Sequence, residues 1–244
     1  MTHVEATPDP PDGERERQLR RLVSALRARG GVGAVGPVCH GEVPEVDGVV
    51  LTVVAAHAGR IVLSDSGPHG DHLEDLHATL DEGPAIDAAT ISDIVAATDL
   101  HHAPARARWP RFAEQALASG IRAVFAYPVR RQTRPVGVLS LYRGAAGPLR
   151  AAVHERVQGY AAAVPVLLLD DLQVTDTGVP GMVLPAYAEE VQQAIGVVME
   201  YAEVDAATAL HRLRAYARDS ARPMREVVAE VRTLRLPFDP TVPT

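Results

Sequence analysis

Arginine side chains in the C-terminal segment are the groups best suited to binding a charged partner. A guanidinium group donates hydrogen bonds in a planar fork and stacks on flat rings, so it suits phosphates and unpaired bases. Residues 186–244, however, hold seven Arg against nine Asp or Glu, a net charge of −2. The pattern is therefore also typical of a solvated helix surface. The arginines are Arg212, Arg214, Arg218, Arg222, Arg225, Arg232 and Arg235.

Histidines are the other candidate group, because five of them could gather around a metal ion. Their spacing matches no known ligand pattern and the chain has one Cys, so we expect exposed histidines, no metal and no cofactor. The adjacent carboxylates Asp81-Glu82 and Asp170-Asp171 have no nucleophile or matched acid–base partner nearby. We therefore expect no enzymatic activity. The five histidines are His69, His72, His77, His101 and His102.

The composition is that of a soluble globular protein. The chain has 244 residues, with 47% hydrophobic and 23% charged residues. A net charge of −7 argues against non-specific coating of nucleic acid. All 24 basic residues are Arg, and the single Cys39 is compatible with a reducing compartment. No signal peptide and no membrane span are expected, since the apolar run 161–169 is half the required length. We expect a cytoplasmic protein.

Residues 14–172 predict a mixed α and β domain. Helical periodicity marks residues 14–29, and β-branched runs at 49–54 and 60–64 predict a hairpin. Trp109 and Cys39 could line a pocket, although packing of both side chains is the simpler interpretation. Further helices are predicted at 71–80, 109–119 and 149–172, the last kinked at Pro165, and further strands at 123–129 and 136–142.

Beyond a Gly- and Pro-rich linker at 173–183, the pattern becomes purely helical. Three amphipathic helices are predicted at 184–202, 205–219 and 223–235, with Asp205 as an N-cap and Pro223 at a first helical position. Each has one apolar stripe, so the three are expected to bury one another. The domain boundaries predicted are 1–13 tail, 14–172 first domain, 173–183 linker, 184–236 helical domain and 237–244 tail.

The helical domain resembles the ANTAR domain, a three-helix RNA-binding module of transcription antitermination regulators. Three segments carry the likeness: Val191 to Met199 (VQQAIGVVM), Ala209 to Ala217 with Leu213-Arg214-Ala215-Tyr216, and Arg222 to Val227 (RPMREV). Two positions depart from the family. Ile195 stands where a basic residue is frequent, which would cost a charge on a possible RNA face, and Val228 stands where Ala is frequent.

The first domain resembles GAF domains of the type fused to ANTAR in actinobacteria. The likeness implies an α+β fold: a GAF-like antiparallel sheet flanked by helices, with a possible small-molecule pocket on one face, followed by the three-helix ANTAR bundle. The segments that carry it are Leu80–Pro84 (LDEGP), Arg108–Phe112 (RWPRF), Gly120–Pro128 (GIRAVFAYP) and Gly137–Tyr142 (GVLSLY).

The two resemblances imply a signal-responsive antiterminator that binds paired RNA stem-loops, works as a homodimer and takes an unknown small ligand in its sensor domain. A protein-interaction module, in which the helices dock another regulator and the GAF domain dimerises, remains the alternative. Ala194 and Gly196 allow either close approach of RNA or tight helix packing. The RNA-binding residues implied are Gln193, Ala194, Gly196, Met199, Arg212, Arg214, Ala217, Arg218, Arg222 and Arg225.

Overall fold

The computed structural model describes residues 12–55, 59–173, 186–220 and 224–233, and it has the predicted α+β organisation. Except for Gln173, the linker predicted at 173–183 lies outside the described residues. Pro223 also lies outside them. The strands are β1 (Gly48–Ala55), β2 (Gly59–Ser66), β3 (Val95–Ala97), β4 (Ala123–Arg131) and β5 (Arg134–Arg143). They form one antiparallel sheet in the order β2-β1-β5-β4-β3.

Seven helices belong to the sheet domain within the described ranges. They are α1 (Asp12–Arg27), α2 (Val35–Glu42), α3 (Gly70–Leu80), α4 (Pro84–Ile91), α5 (Ala103–Arg108), α6 (Pro110–Ala118) and α7 (Ala151–Gln173), with a short 3-10 turn at Gly31–Ala34. The helices α2, α4 and α5 are not among those predicted from the sequence. The kink expected at Pro165 does not break α7, which the structure assigns as one helix.

Alternation along the strands buries both faces of the sheet. Leu139 and Leu141 of β5 point to one cluster with α1, α2 and α7, whereas Val138 and Tyr142 point to the other with α3, α4 and α6. This is the period-two rule for a strand that is covered on both sides. The first domain is therefore a three-layer unit with two apolar cores.

A buried polar cluster fixes α3 to the sheet. The Glu74 carboxylate of α3 accepts hydrogen bonds from Arg60 of β2 (Nη2–Oε2 3.1 Å) and from the Thr52 hydroxyl of β1 (2.9 Å). The Arg60 and Glu74 side chains are each 8% exposed. A buried charge needs such a partner, so the pair specifies where α3 sits.

Three helices form the C-terminal domain: α8 (Ala186–Ala202), α9 (Ala206–Asp219) and α10 (Met224–Arg232). The predicted cap at Asp205 is confirmed, since its side chain accepts from the Thr208 amide at 2.7 Å. The apolar stripes interdigitate in one core, which contains Val191, Ala194, Ile195, Val198, Ala209, Leu210, Leu213, Ala217, Val227, Val228 and Val231.

Candidate nucleic-acid interface

One face of α8 is open to solvent and carries three of the residues that the sequence singles out. Gln193 and Gly196 are exposed and Met199 is 37% exposed. Apart from its chain neighbours and the backbone of α8 itself, no heavy atom of the described residues lies within 4 Å of where a Cβ on Gly196 would be. Gly196 therefore serves no close helix contact within the described chain, and the backbone there is open to an approaching ligand.

Arg232 of α10 anchors this face, a role that the sequence analysis did not assign to it. Its Nε donates to Gln193 Oε1 at 2.8 Å, and its Nη1 lies 3.1 Å from Glu190 Oε1. The two acceptors lie three residues apart on α8, a spacing that places both on one side of a helix. Arg232 thus links α10 to α8 and orients the Gln193 amide.

Ala194 and Ala217 lie elsewhere. Both are 0% exposed in the core of the helical domain, so of the two roles considered for Ala194 the structure shows helix packing. Ile195 is also buried, at 1% exposed. The expectation that Ile195 removes a charge from an RNA face is therefore wrong, because its side chain faces the core; Val228 is equally buried.

The predicted arginines are spread over α9 and α10. Arg212 lies on α9 and is half-buried. Arg214 and Arg218 lie on α9 and Arg225 on α10, and the description of these three is limited to their helical backbone. Arg222 lies outside the described residues.

A cavity lies at one end of the sheet, not on either of its faces. A cavity of about 350 Å³ opens beside the ends of β1, β4 and β5, next to the turn before α3. The Tyr142 hydroxyl lies in its wall and accepts a hydrogen bond from the His69 amide at 2.9 Å. The cavity is lined by His40, Val46, Asp47, Pro68, His69, Gly120, Ile121, Tyr142 and Gly144.

The histidines do not gather around a metal site. No group of three or more His, Cys, Asp or Glu in the described ranges could hold an ion. His101 and His102 are exposed as expected, but His77 is fully buried and stacks on Phe112 at 4.6 Å between ring centroids. Burial lowers the pKa of His77 to about 3, so this imidazole is neutral at physiological pH.

Cys39 and Trp109 have the packing roles that were the simpler interpretation. Cys39 is 0% exposed, and burial raises the pKa of its thiol to about 12. Trp109 is 4% exposed, and its indole N–H donates to Asp87 at 3.0 Å. Neither residue lines the cavity.

Residues 187–231 match the sequence model of the ANTAR domain family. This range begins in α8 and ends one residue before the end of α10, so the match and the three-helix unit coincide. No curated protein matches the chain. In the described ranges, none of the helices is long and apolar enough to span a membrane.

Solved structures with similar folds match the sheet domain. The GAF domain of an Acinetobacter phosphoenolpyruvate-protein phosphotransferase shares 13% identity over 68% of this chain and 99% of its own, with a TM-score of 0.48. The type II free methionine-R-sulfoxide reductase of Thermoplasma acidophilum shares 17% over 63% and 94%, with a TM-score of 0.41. A GAF domain region of a Geobacter sulfurreducens PCA membrane protein shares 17% over 65% and 97%, also at 0.41.

Proposed function

We propose that this chain is a cytoplasmic, signal-responsive regulator, not an enzyme, that binds paired RNA stem-loops through its C-terminal domain and acts in transcription antitermination. The match of residues 187–231 to the ANTAR family carries the proposal. The open face of α8 supports it, because a helix that exposes Gly196 lets an RNA strand reach its backbone.

The exposed residues suit different parts of an RNA loop. The amide of Gln193 can hydrogen-bond to a base edge, and the flexible apolar side chain of Met199 can contact a base face. The arginines of α9 and α10 supply positive charge for phosphates. Ala194 and Ala217 contribute through the core that holds the helices in place.

RNA binding is tested with purified full-length protein and a library of paired short stem-loop RNAs at two salt concentrations. We expect binding that weakens as salt rises, because phosphate contacts release counterions. Arg214→Glu should abolish binding, whereas Arg134→Glu, an equal charge change at the exposed first residue of β5, should weaken it by about twofold or less. Equal losses in both variants, or no binding by the wild type, would contradict the proposal.

Docking of another protein is the second candidate, and the exposed surface of α8 favours it. Tyr201 is 59% exposed and Met199 is 37% exposed, and both residue types are frequent in protein interfaces. Glu200 is exposed between them and would repel phosphate. Loss of a protein partner in a Tyr201→Ala variant, in a chain that binds no RNA, would establish this function instead.

A homodimer built on the sheet domain completes the proposal. Val166 and Leu169, three residues apart on α7, are 36% and 42% exposed, and a second copy could cover them. The molar mass in solution, measured by light scattering, should be twice the chain mass of 26.0 kDa. Val166→Glu together with Leu169→Glu should reduce it to that of one chain, because each buries a charge in the interface.

A further inference from the structure

The C-terminal domain rests on the sheet domain through α3. In the structure α9 and α10 both lie against α3, and α8 lies near β2. Among the described elements outside the C-terminal domain, α3 has the most extensive contact with α9. The helix that carries Arg212, Arg214 and Arg218 is therefore covered on part of its surface.

Ala215 shows which side of α9 is covered. Leu213 and Ala217 face the core of the helical domain, and Ala215 lies two residues from each of them, about 200° around the helix. A residue that points away from its own domain's core should be exposed, yet Ala215 is 1% exposed. We attribute this burial to α3, which lies against α9. Arg212 precedes Ala215 by three residues, lies on the same side and is half-buried.

The covering surface of α3 is acidic. Leu73, Leu76 and Leu80 hold one side of α3 in the core of the sheet domain. Asp71 and Asp75 are four residues apart on the other side, and both are half-buried. Carboxylates that face an arginine-bearing helix offer the same kind of charged acceptor as RNA phosphates.

We infer that α3 is an internal competitor of RNA, so that the side of α9 which contains Arg212 and Ala215 binds either α3 or the RNA. This inference rests on the proposed function and names the regulation of the same site. In the docked state the α8 face with Gln193 and Gly196 stays open, and the Arg212 side of α9 is withheld. A signal that favours undocking raises the apparent affinity for RNA in proportion to the fraction of molecules in the undocked state.

A pair of substitutions on one helix separates docking from folding in the full-length chain. Ala215→Gln and Ala217→Gln add the same amide at two positions of α9 that are each at most 1% exposed. In hydrogen–deuterium exchange without RNA, Ala215→Gln should raise exchange in α9 and α3 and leave α8 and α10 protected. Ala217→Gln should raise exchange in all three C-terminal helices, because it overfills their common core.

Affinity for RNA is the second measurement that tests the inference. Ala215→Gln, and separately Asp71→Asn with Asp75→Asn, should bind the stem-loop RNA at least about tenfold more tightly than the wild type. Glu114→Gln with Glu155→Gln makes the same charge change at exposed positions on α6 and α7 and should alter affinity by about twofold or less. RNA added to the wild type should raise exchange in α3 while it protects α9.

Unchanged exchange and unchanged affinity in Ala215→Gln would overturn the inference, as would protection of α3 that persists when RNA is bound. A wild type that binds RNA weakly beside an Ala215→Gln variant that binds it at least about tenfold more tightly would support it most directly. If no variant binds RNA, the proposed function fails and competition with RNA fails with it, while the exchange pattern of Ala215→Gln still shows whether α3 docks α9.

Discussion

The Arg60 guanidinium of β2 contacts the Glu74 carboxylate of α3 side-on with two of its three nitrogens, Nε to Oε1 at 2.5 Å and Nη2 to Oε2 at 3.1 Å. This contact joins the edge strand of the sheet to the helix on which the C-terminal domain rests. Because both side chains are 8% exposed, the attraction between them is little screened by water.

Loss of the Glu74 charge should destabilise the fold. We expect Glu74→Gln to lower the free energy of unfolding by about 3 kcal/mol, because Arg60 would remain buried without its partner. Urea denaturation measures the change. Glu16→Gln is the control, since its ion pair with Arg20 is 64–67% exposed and should contribute less than about 0.5 kcal/mol. Similar decreases in the free energy of unfolding of the two variants would contradict the stabilising role of the Arg60–Glu74 pair.

The contact between Arg60 and Glu74 also makes the stability of the fold depend on pH. Burial alone would raise the pKa of Glu74, but the charge of Arg60 and the hydrogen bonds from Arg60 and Thr52 lower it below the usual value. A carboxylate with a depressed native pKa stabilises the fold above its unfolded pKa, and this stabilisation is lost as pH falls through the native pKa. Glu74→Gln should therefore be less sensitive than the wild type to a fall in pH below about 4.

His77 should produce a separate pH dependence at higher pH. Burial lowers the pKa of His77 to about 3, so between roughly pH 6.5 and 3 the unfolded chain binds a proton that the native chain does not. The free energy of unfolding should therefore decrease as the pH is lowered through this range, by up to about 1.4 kcal/mol per pH unit. His77→Gln keeps an acceptor for the Ala85 amide and should flatten the curve from pH 6.5 to 4.5. His101→Gln, at an exposed position, should leave the slope unchanged.

Gly48 should not tolerate a side chain. A Cβ at this position would overlap the Tyr142 hydroxyl and the Ser66 carbonyl oxygen. We expect Gly48→Ala to lower the melting temperature by about 5 °C or more, because backbone must move to relieve the overlap. A Cβ on Gly41 meets no described atom within 4 Å, so Gly41→Ala should not lower the melting temperature. Equal melting temperatures for the two variants would show that the strand ends can adjust.

Gly196→Ala separates stability from RNA binding. The position is exposed and open within α8, so Ala should raise the free energy of unfolding by about 0.5–1 kcal/mol through helix propensity. If RNA approaches the backbone at this point, the same methyl group should weaken RNA binding. A more stable variant with wild-type RNA affinity would show that Gly196 is not part of the interface.

Periodicity was sufficient to predict the long elements but not the short ones. The stripes of α8 and α9 and the β1–β2 hairpin lie within a few residues of their predicted positions, because each repeats its pattern several times. The helix α2 contains Gly36, Pro37 and Gly41, which are poor helix formers, and it forms because Val35 and Cys39 are buried against the sheet. Tertiary packing of this kind leaves little trace in local sequence.

For the candidate interface, the sequence predicted which residues are grouped along the chain better than it predicted which of them face solvent. The family likeness groups Gln193, Ala194 and Gly196 together, but successive residues of a helix point about 100° apart, so Ala194 lies in the core while Gln193 and Gly196 face solvent. Arg232 was not selected because its role depends on a contact 39 residues away in sequence. Covering of the Arg212 side of α9 depends on the other domain and has no local signal.

The bond between Arg232 and Gln193 also fixes the polarity of the open face. A guanidinium group can only donate, so the amide oxygen of Gln193 must turn toward Arg232 and its nitrogen must turn away. Gln193 therefore presents its two N–H groups outward, while Arg232 occupies one of the two lone pairs of its oxygen. The outward N–H groups suit a partner that accepts, such as a carbonyl or ring nitrogen of a base or a phosphate oxygen. If this face of α8 binds RNA as proposed, the α10 arginine favours the base edges that carry acceptors.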